Sequence, residues 1–385
     1  MMSEKWLYFF NILASRWVNA VGPGGLRAPI KSILVVKWDE IGDMAAAVHV
    51  FGTLKLAYPE AELHVLCKPF VSTLIAGDPA IDKVITNIED WQQRYDVVVE
   101  LRGTWQTSRK SLSLRTMPKY RVDRGWVRFL QRGAQPHEIV TNERIIRPLV
   151  GEDFAIAKRQ LFPSEAEIAE ANLWSAWANG SDQIFGMSSS DSVDGNSKDS
   201  NADYFAEVNS TFPAADAVSN NNAAGYAILH TGARRELRRW SLGRFVALSK
   251  WLQSEKNLIP IWVGTADEES QLDEAFAMGA AGKKWVAPEG SSLLSFYAFI
   301  ASAKLYVGNE SGPLQLADIA EVPLVAIYGP GVPDVFYPQS TRSRVLHKVL
   351  DCNPCDQIHC VRPSDRCIDR ISLASVQLSV NEVLG

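Results

Sequence analysis

The sequence predicts an α/β protein with two Rossmann-like domains that face each other across a cleft. Short apolar runs alternate with helix-compatible segments in both halves of the chain. A polar stretch separates the halves, and 385 residues is about the length of two domains. Hydrophobic residues make up 46% and charged residues 22% of the chain, which excludes wholesale disorder.

The first α/β domain is predicted over residues 31–185, after an N-terminal extension at 1–30 that contains a candidate amphipathic helix. The run ILVVK at its start is typical of a buried parallel strand. Its predicted elements are a strand at 33–37, a helix at 44–57, and strands at 63–67 and 97–101.

A polar linker or insertion is predicted at 186–224, because the segment GMSSSDSVDGNSKDSNAD has almost nothing to bury. A second α/β domain at 225–370 and a C-terminal helix at 371–385 follow. The predicted elements of the second domain are strands at 226–230, 259–263, 305–307 and 324–328, and helices at 242–255, 267–278 and 313–320.

Ligands are expected where the parallel strands end, because α/β sheets of this type bind ligands at the carboxyl ends of their strands. The first such loop, WDEIGD at 38–43, is acidic and therefore a poor phosphate cradle. Asp43 would lie at the helix start, where the helix dipole is expected to keep its pKa low and leave it ionised as a base. An N-cap role for Asp43 is the alternative.

The strand ends of the second half carry residues suited to a phosphorylated ligand. Backbone amides of the turn at 311–314 could hold a pyrophosphate, and Arg238 could pair with phosphate oxygens in a bidentate manner. Glu268 could accept hydrogen bonds from ribose hydroxyls or cap the next helix. The candidate residues for this ligand are Thr231, Gly232, Arg238, Glu268, Glu310, Ser311 and Gly312.

A basic stretch lies between residues 102 and 132, with nine basic residues against one acid in a protein of net charge −5. Its neighbours Trp105, Trp126 and Phe129 favour a partner that is both anionic and amphipathic, such as a phosphorylated glycolipid at a membrane surface. A solvated basic face is the alternative, and no nucleic-acid module is visible. The candidate acceptor contacts are Arg102, Arg109, Lys110 and Arg121.

The N-terminal extension carries apolar residues at helical spacing, which suits either a membrane interface or packing on the protein itself. Those residues are Trp6, Phe9, Phe10, Leu13 and Trp17.

Four of the five cysteines crowd near the C-terminus, at Cys352, Cys355, Cys360 and Cys367. Four thiolates at this spacing could surround zinc, but the spacing departs from the usual pair-plus-pair pattern, and reduced structural thiols are favoured. The low cysteine content elsewhere indicates the cytosol.

Six segments, in order, resemble the ADP-heptose:lipopolysaccharide heptosyltransferase family, glycosyltransferase family nine, which has the GT-B fold. The resemblance runs from about residue 32 to the C-terminus and leaves out the N-terminal 30 residues and the insertion at 186–222. The segments are ILVVKWDEIGDMAAAVHV, AYPEAELHVL, HTGARRELRRWS, WVGTADEE, VGNESGPLQLADIAEVPLVAIYGP and CNPCDQIHC.

The resemblance implies an inverting glycosyltransferase that moves a sugar, heptose from ADP-heptose, to a lipopolysaccharide core or related glycan. It implies that Asp43 is the catalytic base, that Glu268 contacts the nucleoside and that residues 310–312 form the diphosphate turn. Arg238 stands where the family usually has a lysine near the donor phosphates. Two further departures are Glu310, longer than the usual aspartate, and Gln315, which replaces a common histidine.

The expected partners are a nucleotide sugar and a phosphorylated glycolipid, with no nucleic acid. No cofactor is expected, because arginine and helix-start amides can hold the charge of departing ADP. The implied location is the cytoplasm, with peripheral contact to the cytoplasmic face of the inner membrane left open. Domain closure would make the linker and a crossing C-terminal helix, about 371–384, part of a hinge.

Two alternatives remain open. A transferase that uses another nucleotide sugar would share these features. A non-catalytic nucleotide-binding or scaffold protein is suggested by Glu310 and Gln315. A dehydrogenase has little support, because no strand-linked G-x-G-x-x-G with a downstream acid is present.

Overall fold

A computed structural model describes residues 4–21, 29–129, 135–180, 225–353, 355 and 357–385. Within them the chain forms two parallel sheets, one in each half. The linker or insertion predicted at 186–224 lies outside the described residues.

The first sheet has the strand order β3-β2-β1-β4-β5, with every pair parallel. Its central strand is completely buried apart from its first residue, as expected for a strand covered on both faces. The strands are β1 (Ser32–Lys37), β2 (Glu62–Cys67), β3 (Lys83–Ile85), β4 (Val97–Arg102) and β5 (Tyr120–Asp123). The helices of this half are α1 (Glu4–Val21), α2 (Ile41–Ala45), α3 (Val48–Ala57), α4 (Pro69–Ser72), α5 (Trp105–Ser111), α6 (Arg124–Phe129) and α7 (Glu138–Val150).

The second sheet has the order β11-β10-β9-β6-β7-β8 and is also parallel throughout. Its strands are β6 (Tyr226–His230), β7 (Ile259–Gly264), β8 (Lys283–Val286), β9 (Leu305–Asn309), β10 (Leu324–Tyr328) and β11 (Ser343–His347). The helices that follow α7 are α8 (Glu165–Ala178), α9 (Leu242–Lys256), α10 (Glu269–Ala277), α11 (Leu293–Ala301), α12 (Gly312–Ile319), α13 (Pro333–Phe336) and α14 (Leu373–Leu384).

The predicted pair of Rossmann-like domains is confirmed, with one local difference beside the expected site. The single helix predicted at 44–57 is two helices, because the chain turns at Ala46 and Ala47 between α2 and α3. As a result, the two helices pack on different domains. Helix α2 lies against α12 of the second domain, whereas α3 lies against α7 of the first domain.

The chain reaches the second domain earlier than the boundary predicted at residue 185. Helix α8 packs on α11, and the ring of Trp174 lies 5.0 Å from that of Trp285 and 5.8 Å from that of Phe299. The Ser175 hydroxyl is 3.1 Å from the Tyr226 hydroxyl. Residues 165–178 therefore belong structurally to the second domain.

The C-terminal helix does not act as the expected crossing element. Helix α14 packs on α9, β10 and β11 of the second domain, and Val376 and Val380 are buried in that domain's core. Its anchoring in one core makes it part of the second domain.

Helix α1 packs on β5, α5 and α6 through an ion-pair network around Arg121. The Arg121 guanidinium is fully buried, is paired with Glu100 and Asp123, and donates to the Asn11 carbonyl at 3.0 Å and to the Ser15 hydroxyl at 2.6 Å. This network fixes the helix on the first domain. Among the described helices, none is long and apolar enough to span a bilayer.

Replacing Arg121 with leucine is expected to lower the free energy of unfolding by about 3–5 kcal/mol, because the buried Glu100 and Asp123 carboxylates lose their cation. Urea denaturation measures this change. The control is Arg115→Leu at an exposed position, with an expected effect within about 0.5 kcal/mol. Equal effects of the two substitutions would contradict the role given to the buried network.

Candidate active site

The acidic loop of the first domain lies against the start of α12 in the second, where anion binding is predicted. A Cβ added to Gly312 would lie 3.1 Å from Ile41 Cβ, and one added to Gly42 would lie 3.4 Å from Gln315 Cγ. Helices α2 and α12 therefore meet at their first turns. Asp43 follows Gly42 in the first turn of α2, so its backbone lies next to this junction.

Burial raises the pKa of Asp43 to about 6. The charge of Lys37 opposes this rise, the carboxylates of Asp39 and Glu138 add to it, and Arg102 opposes it. The low pKa expected from the helix dipole is therefore wrong. The helix is a single short turn, so its dipole is weak, and removal of the carboxylate from water dominates.

A compact set of buried charges surrounds Asp43. Lys37 Nζ lies 3.4 Å from Glu138 Oε1 and 3.6 Å from Asp39 Oδ2. Arg124 donates to both carboxylate oxygens of Glu138, with Nη2 at 2.8 Å from Oε2, and Arg102 Nε lies 3.7 Å from Asp39 Oδ2. Lys37 and Glu138 are completely buried. The cluster holds fixed charges of both signs beside the carboxylate.

The sequence analysis missed Lys37, Glu138 and Arg124. The only local signal was a lysine at the end of the otherwise apolar strand β1. Glu138 is 101 residues further along the chain, so its pairing with Lys37 has no local signal.

The N-cap of α2 is Glu40 and makes no side-chain capping bond, so the capping alternative for Asp43 does not hold. Glu40 instead lies between the two domains. Its Oε1 is 2.7 Å from Lys68 Nζ and 3.7 Å from Nη1 of Arg234, which extends from the loop after β6.

The head of the 310–312 turn is held by a buried ion pair. Arg238 Nη1 lies 3.1 Å from Glu310 Oε1, and Arg238 Nε donates to Gln357 Oε1 at 2.6 Å. Burial raises the pKa of Glu310, and the charge of Arg238 opposes that rise. Glu310 Oε2 is buried and has no hydrogen-bond partner among the described residues. One cation and one unsatisfied acceptor thus lie beside the turn.

Ser311, His230 and Glu268 form a chain of polar groups below the turn. The Ser311 hydroxyl lies 3.2 Å from His230 Nδ1, and His230 Nε2 lies 3.9 Å from Glu268 Oε2. Burial lowers the pKa of His230, which Glu268 opposes, so the imidazole is neutral at pH 7. A Cβ on Gly232 would overlap the Glu268 carboxylate, so only glycine leaves room for it here.

Glu268 also has a structural role, and so does the loop after β6. Glu268 Oε2 accepts from the Thr265 amide at 3.0 Å, which completes a capping box. The Thr231 carbonyl accepts from Asn309 Nδ2 at 2.7 Å, and Asn309 Oδ1 accepts from the Trp240 amide at 3.0 Å. Asn309, which the sequence analysis missed, thereby holds the loop from 231 to 240 against β9.

The residues of the basic stretch lie in different environments. Arg121 is fully buried in the network under α1 and cannot contact an acceptor. Lys110 pairs with Glu89 at 2.9 Å, Arg102 lies on the Asp39 side of the cluster, and Arg109 is exposed. The count of basic residues therefore overstates the size of the exposed positive patch. Such a count treats an arginine that neutralises buried acids in the same way as an arginine on the surface.

The four late cysteines are free and line one cavity of about 100 Å³. Burial raises the pKa of the Cys367 thiol. Among the described residues, no three histidine, cysteine, aspartate or glutamate side chains are grouped so as to hold a metal ion. The arrangement of these thiols in the described part of the chain therefore does not support the predicted zinc site.

The comparisons with known proteins agree with this geometry. Residues 187–364 match the family model for glycosyltransferase family 9 (heptosyltransferase). This part of the chain is therefore similar in sequence to that family. Lipopolysaccharide heptosyltransferase 2 of Salmonella typhimurium is 30% identical over 115 residues, which are 29% of this chain. The aligned segment spans about one third of the length of the curated relatives, 33% in each case.

Solved structures of the family have the same fold over nearly the whole chain. The glycosyl transferase family 9 structure from Veillonella parvula has a TM-score of 0.69 at 15% identity and covers 92% of this chain and 97% of its own. The E. coli ADP-heptose lps heptosyltransferase II structure has a TM-score of 0.63 at 19% identity, with 92% and 98% covered. The two facing parallel sheets are thus those of the GT-B fold.

Asp43→Asn is expected to stabilise the fold at neutral pH. The pKa of Asp43 is about 6 in the folded protein, whereas an aspartate in an unfolded chain has a pKa near 3.9. Between these two pH values the folded state binds more protons than the unfolded state, so the free energy of unfolding falls as the pH rises through this range. Above about pH 6 the ionised side chain costs about 3 kcal/mol, which asparagine avoids. Urea denaturation should show a gain of this order at pH 7.5 that disappears near pH 4. Asp153→Asn, at an exposed turn, is the control, with an expected effect within about 0.5 kcal/mol. Equal stability of Asp43→Asn and the unsubstituted protein at pH 7.5 would contradict the raised pKa.

Proposed function

We propose that this protein is an inverting glycosyltransferase that transfers heptose from ADP-heptose to a lipopolysaccharide core or related glycan. The observation that carries the proposal is the contact between the first turns of α2 and α12, which brings the helix of the buried Asp43 to the turn at 311–312. The relatives add support, because one is a lipopolysaccharide heptosyltransferase and the E. coli heptosyltransferase WaaC structure contains ADP-2-deoxy-2-fluoro heptose.

In this proposal Asp43 removes the proton from the acceptor hydroxyl. The oxygen forms a bond to the anomeric carbon, and the bond from that carbon to the donor phosphate breaks with its electrons leaving on ADP. Attack from the face opposite the leaving group inverts the anomeric centre. A pKa of about 6 leaves Asp43 ionised by about ten to one at pH 7, yet basic enough to accept a proton efficiently.

Arg238 and the start of α12 stabilise the departing diphosphate in this proposal. The guanidinium is already held by Glu310 and Gln357, so it needs little ordering when phosphate oxygens bind. The amides that begin α12 and the Ser311 hydroxyl add uncharged donors. Because these groups hold the charge of ADP, the proposal includes no cofactor.

In this proposal Glu310 takes up a proton when the donor diphosphate binds. Burial already raises its pKa against the charge of Arg238, and an anion beside it raises the pKa further, so the protonated carboxyl can donate a hydrogen bond to a phosphate oxygen. The unpartnered Oε2 is the atom available for that proton. This gives the departure from the usual aspartate a chemical role.

The acceptor side is assigned to the first domain. Of the four basic candidates, Arg102, Arg109 and Lys110 remain, because Arg121 is buried. A phosphorylated glycolipid fits these cations, and such an acceptor would bring the enzyme to the cytoplasmic face of the inner membrane as a peripheral protein.

A second candidate is a nucleotide-binding protein of the same fold without turnover. Glu310 neutralises the Arg238 cation that donor phosphates need, and Gln315 Nε2 donates a hydrogen bond to the Phe336 carbonyl at 2.9 Å.

A donor screen with ADP-heptose and UDP-, GDP- and dTDP-sugars separates the two candidate functions. Release of nucleotide coupled to glycan transfer supports the transferase, and binding without release supports the alternative.

Replacement of Asp43 by alanine is expected to reduce kcat by about 10²–10⁴-fold while ADP binding is retained, because the acceptor hydroxyl loses its base. In the unsubstituted enzyme, kcat/KM should fall about tenfold for each pH unit below about pH 6, because Asp43 becomes protonated. Steady-state transfer and calorimetric ADP titration measure both effects. An unchanged rate in the alanine variant would refute the assigned role.

Gly232→Ala tests the donor side. The added methyl group displaces the flexible Glu268 side chain rather than backbone, so the KM for ADP-heptose should rise about tenfold, and stability should fall by about 1 kcal/mol because the capping bond to Thr265 is lost. The matched control is Gly243→Ala, whose Cβ would meet Met278 Cε at an ordinary 3.4 Å. If both variants keep the original KM, Glu268 does not contact the donor.

A further inference from the structure

Helix α1 presents its largest apolar side chains to solvent. Five residues at helical spacing are 40–58% exposed and form one continuous stripe. They are Trp6, Phe9, Leu13, Trp17 and Val21. We call this stripe the aromatic face of α1. A surface helix normally turns such a face toward the core.

The opposite face of the helix buries polar side chains. Asn11 Oδ1 accepts from the Ser108 hydroxyl at 2.6 Å and from Arg121 Nη2 at 3.0 Å. Asn19 exchanges two hydrogen bonds with the Arg121 backbone, at 2.8 and 3.0 Å, and Ser15 contacts its guanidinium at 2.6 Å. Rotation of the helix to bury the aromatic face would break all of these bonds. The exposure of that face is therefore built into the fold.

We propose that the aromatic face of α1 binds the interface of an anionic lipid bilayer. Tryptophan favours the boundary between headgroups and acyl chains, and Trp6 and Trp17 lie about 16 Å apart along the helix axis. Among the described side chains of α1, residues 6–21, the one charged group is the exposed Arg16. Apolar bulk with a cation and no acid is the combination that lies in an anionic membrane surface.

The helix that packs beside α1 also carries a cation. Helix α5 contacts α1, with the Phe10 and Trp105 rings 5.0 Å apart, and its Arg109 is exposed. Cations near a lipid surface add to the hydrophobic attraction and make binding sensitive to salt. A second copy of this chain would meet the same cations, which repel each other across a twofold interface.

The helix also connects the membrane to the acidic loop. Arg102 Nη1 donates to the Tyr8 hydroxyl at 3.4 Å and its Nε lies 3.7 Å from Asp39, four residues before Asp43. The lobe that holds Asp43 would thus rest on the lipid surface. The further step, that this orients the lobe toward a glycolipid acceptor, rests on the proposed function.

Vesicle flotation of the full chain tests the lipid binding. The protein should float with phosphatidylglycerol-containing vesicles and not with phosphatidylcholine vesicles, and binding should weaken with salt. The double variant Phe9→Ser/Trp17→Ser should bind at least tenfold more weakly, because both side chains are exposed and the buried polar face is untouched. The control Leu378→Ser, at a 60% exposed position on α14, should bind like the unsubstituted protein.

Absence of flotation, or equal flotation of the double variant, overturns the proposal. The proposal is also overturned if the unsubstituted protein is a dimer in solution and the double variant is a monomer, because the aromatic face would then be a protein interface.

Heptose transfer to a delipidated acceptor separates this inference from the proposed function. The double variant should keep that activity, whereas flotation without any transfer by the unsubstituted protein would reject the transferase alone.

Discussion

The organisation of the site depends on the burial of Asp43 at the junction of two domains. Removing a carboxylate from water is unfavourable, and the protein tolerates it because Lys37 and Arg102 stand nearby with their own acidic partners. The cluster draws on β1, β4, α6 and α7, so the first domain must be fully folded before the carboxylate has its environment. The burial that lowers the stability of the protein also makes the Asp43 carboxylate more basic. Such an exchange of stability for a reactive group is common at functional sites.

The second domain brings the start of α12 to the helix that carries this carboxylate. Helix α12 begins where β9 ends, and its first turn lies against α2 because Gly42 and Gly312 have no side chains to separate the two backbones. The Arg159 to Asp318 ion pair, at 2.5 Å, and the contact of His137 with the Tyr337 carbonyl, at 2.8 Å, also join the domains. The helix that carries Asp43 and the 311–312 turn are thus held against each other.

Periodicity and strand ends sufficed to predict the fold class and the loops that form the site. Strands 226–230 and 324–328 have the predicted bounds, because continuous apolar runs mark central parallel strands. The edge strands β3, β5, β8 and β11 were missed, since they are short and of mixed polarity. Arg121 and Glu138 show why charge patterns mislead: Glu100 lies 21 residues from Arg121 and Lys37 lies 101 residues from Glu138, so the fold brings each of these pairs together. The wrong sign of the Asp43 pKa shift has the same origin, because burial is a tertiary property.

The ionisation of Asp43 in the folded protein is the most direct measure of this account. Carbon-13 NMR of aspartate-labelled protein, compared with the Asp43→Asn variant to assign the carboxyl signal, follows that group alone. We expect a titration centred at about pH 6 that shifts upward when ADP binds, because an anion beside the carboxylate favours its protonated form. A carboxyl signal that titrates near pH 4 and does not respond to ADP would contradict both the burial of Asp43 and its position opposite the diphosphate turn.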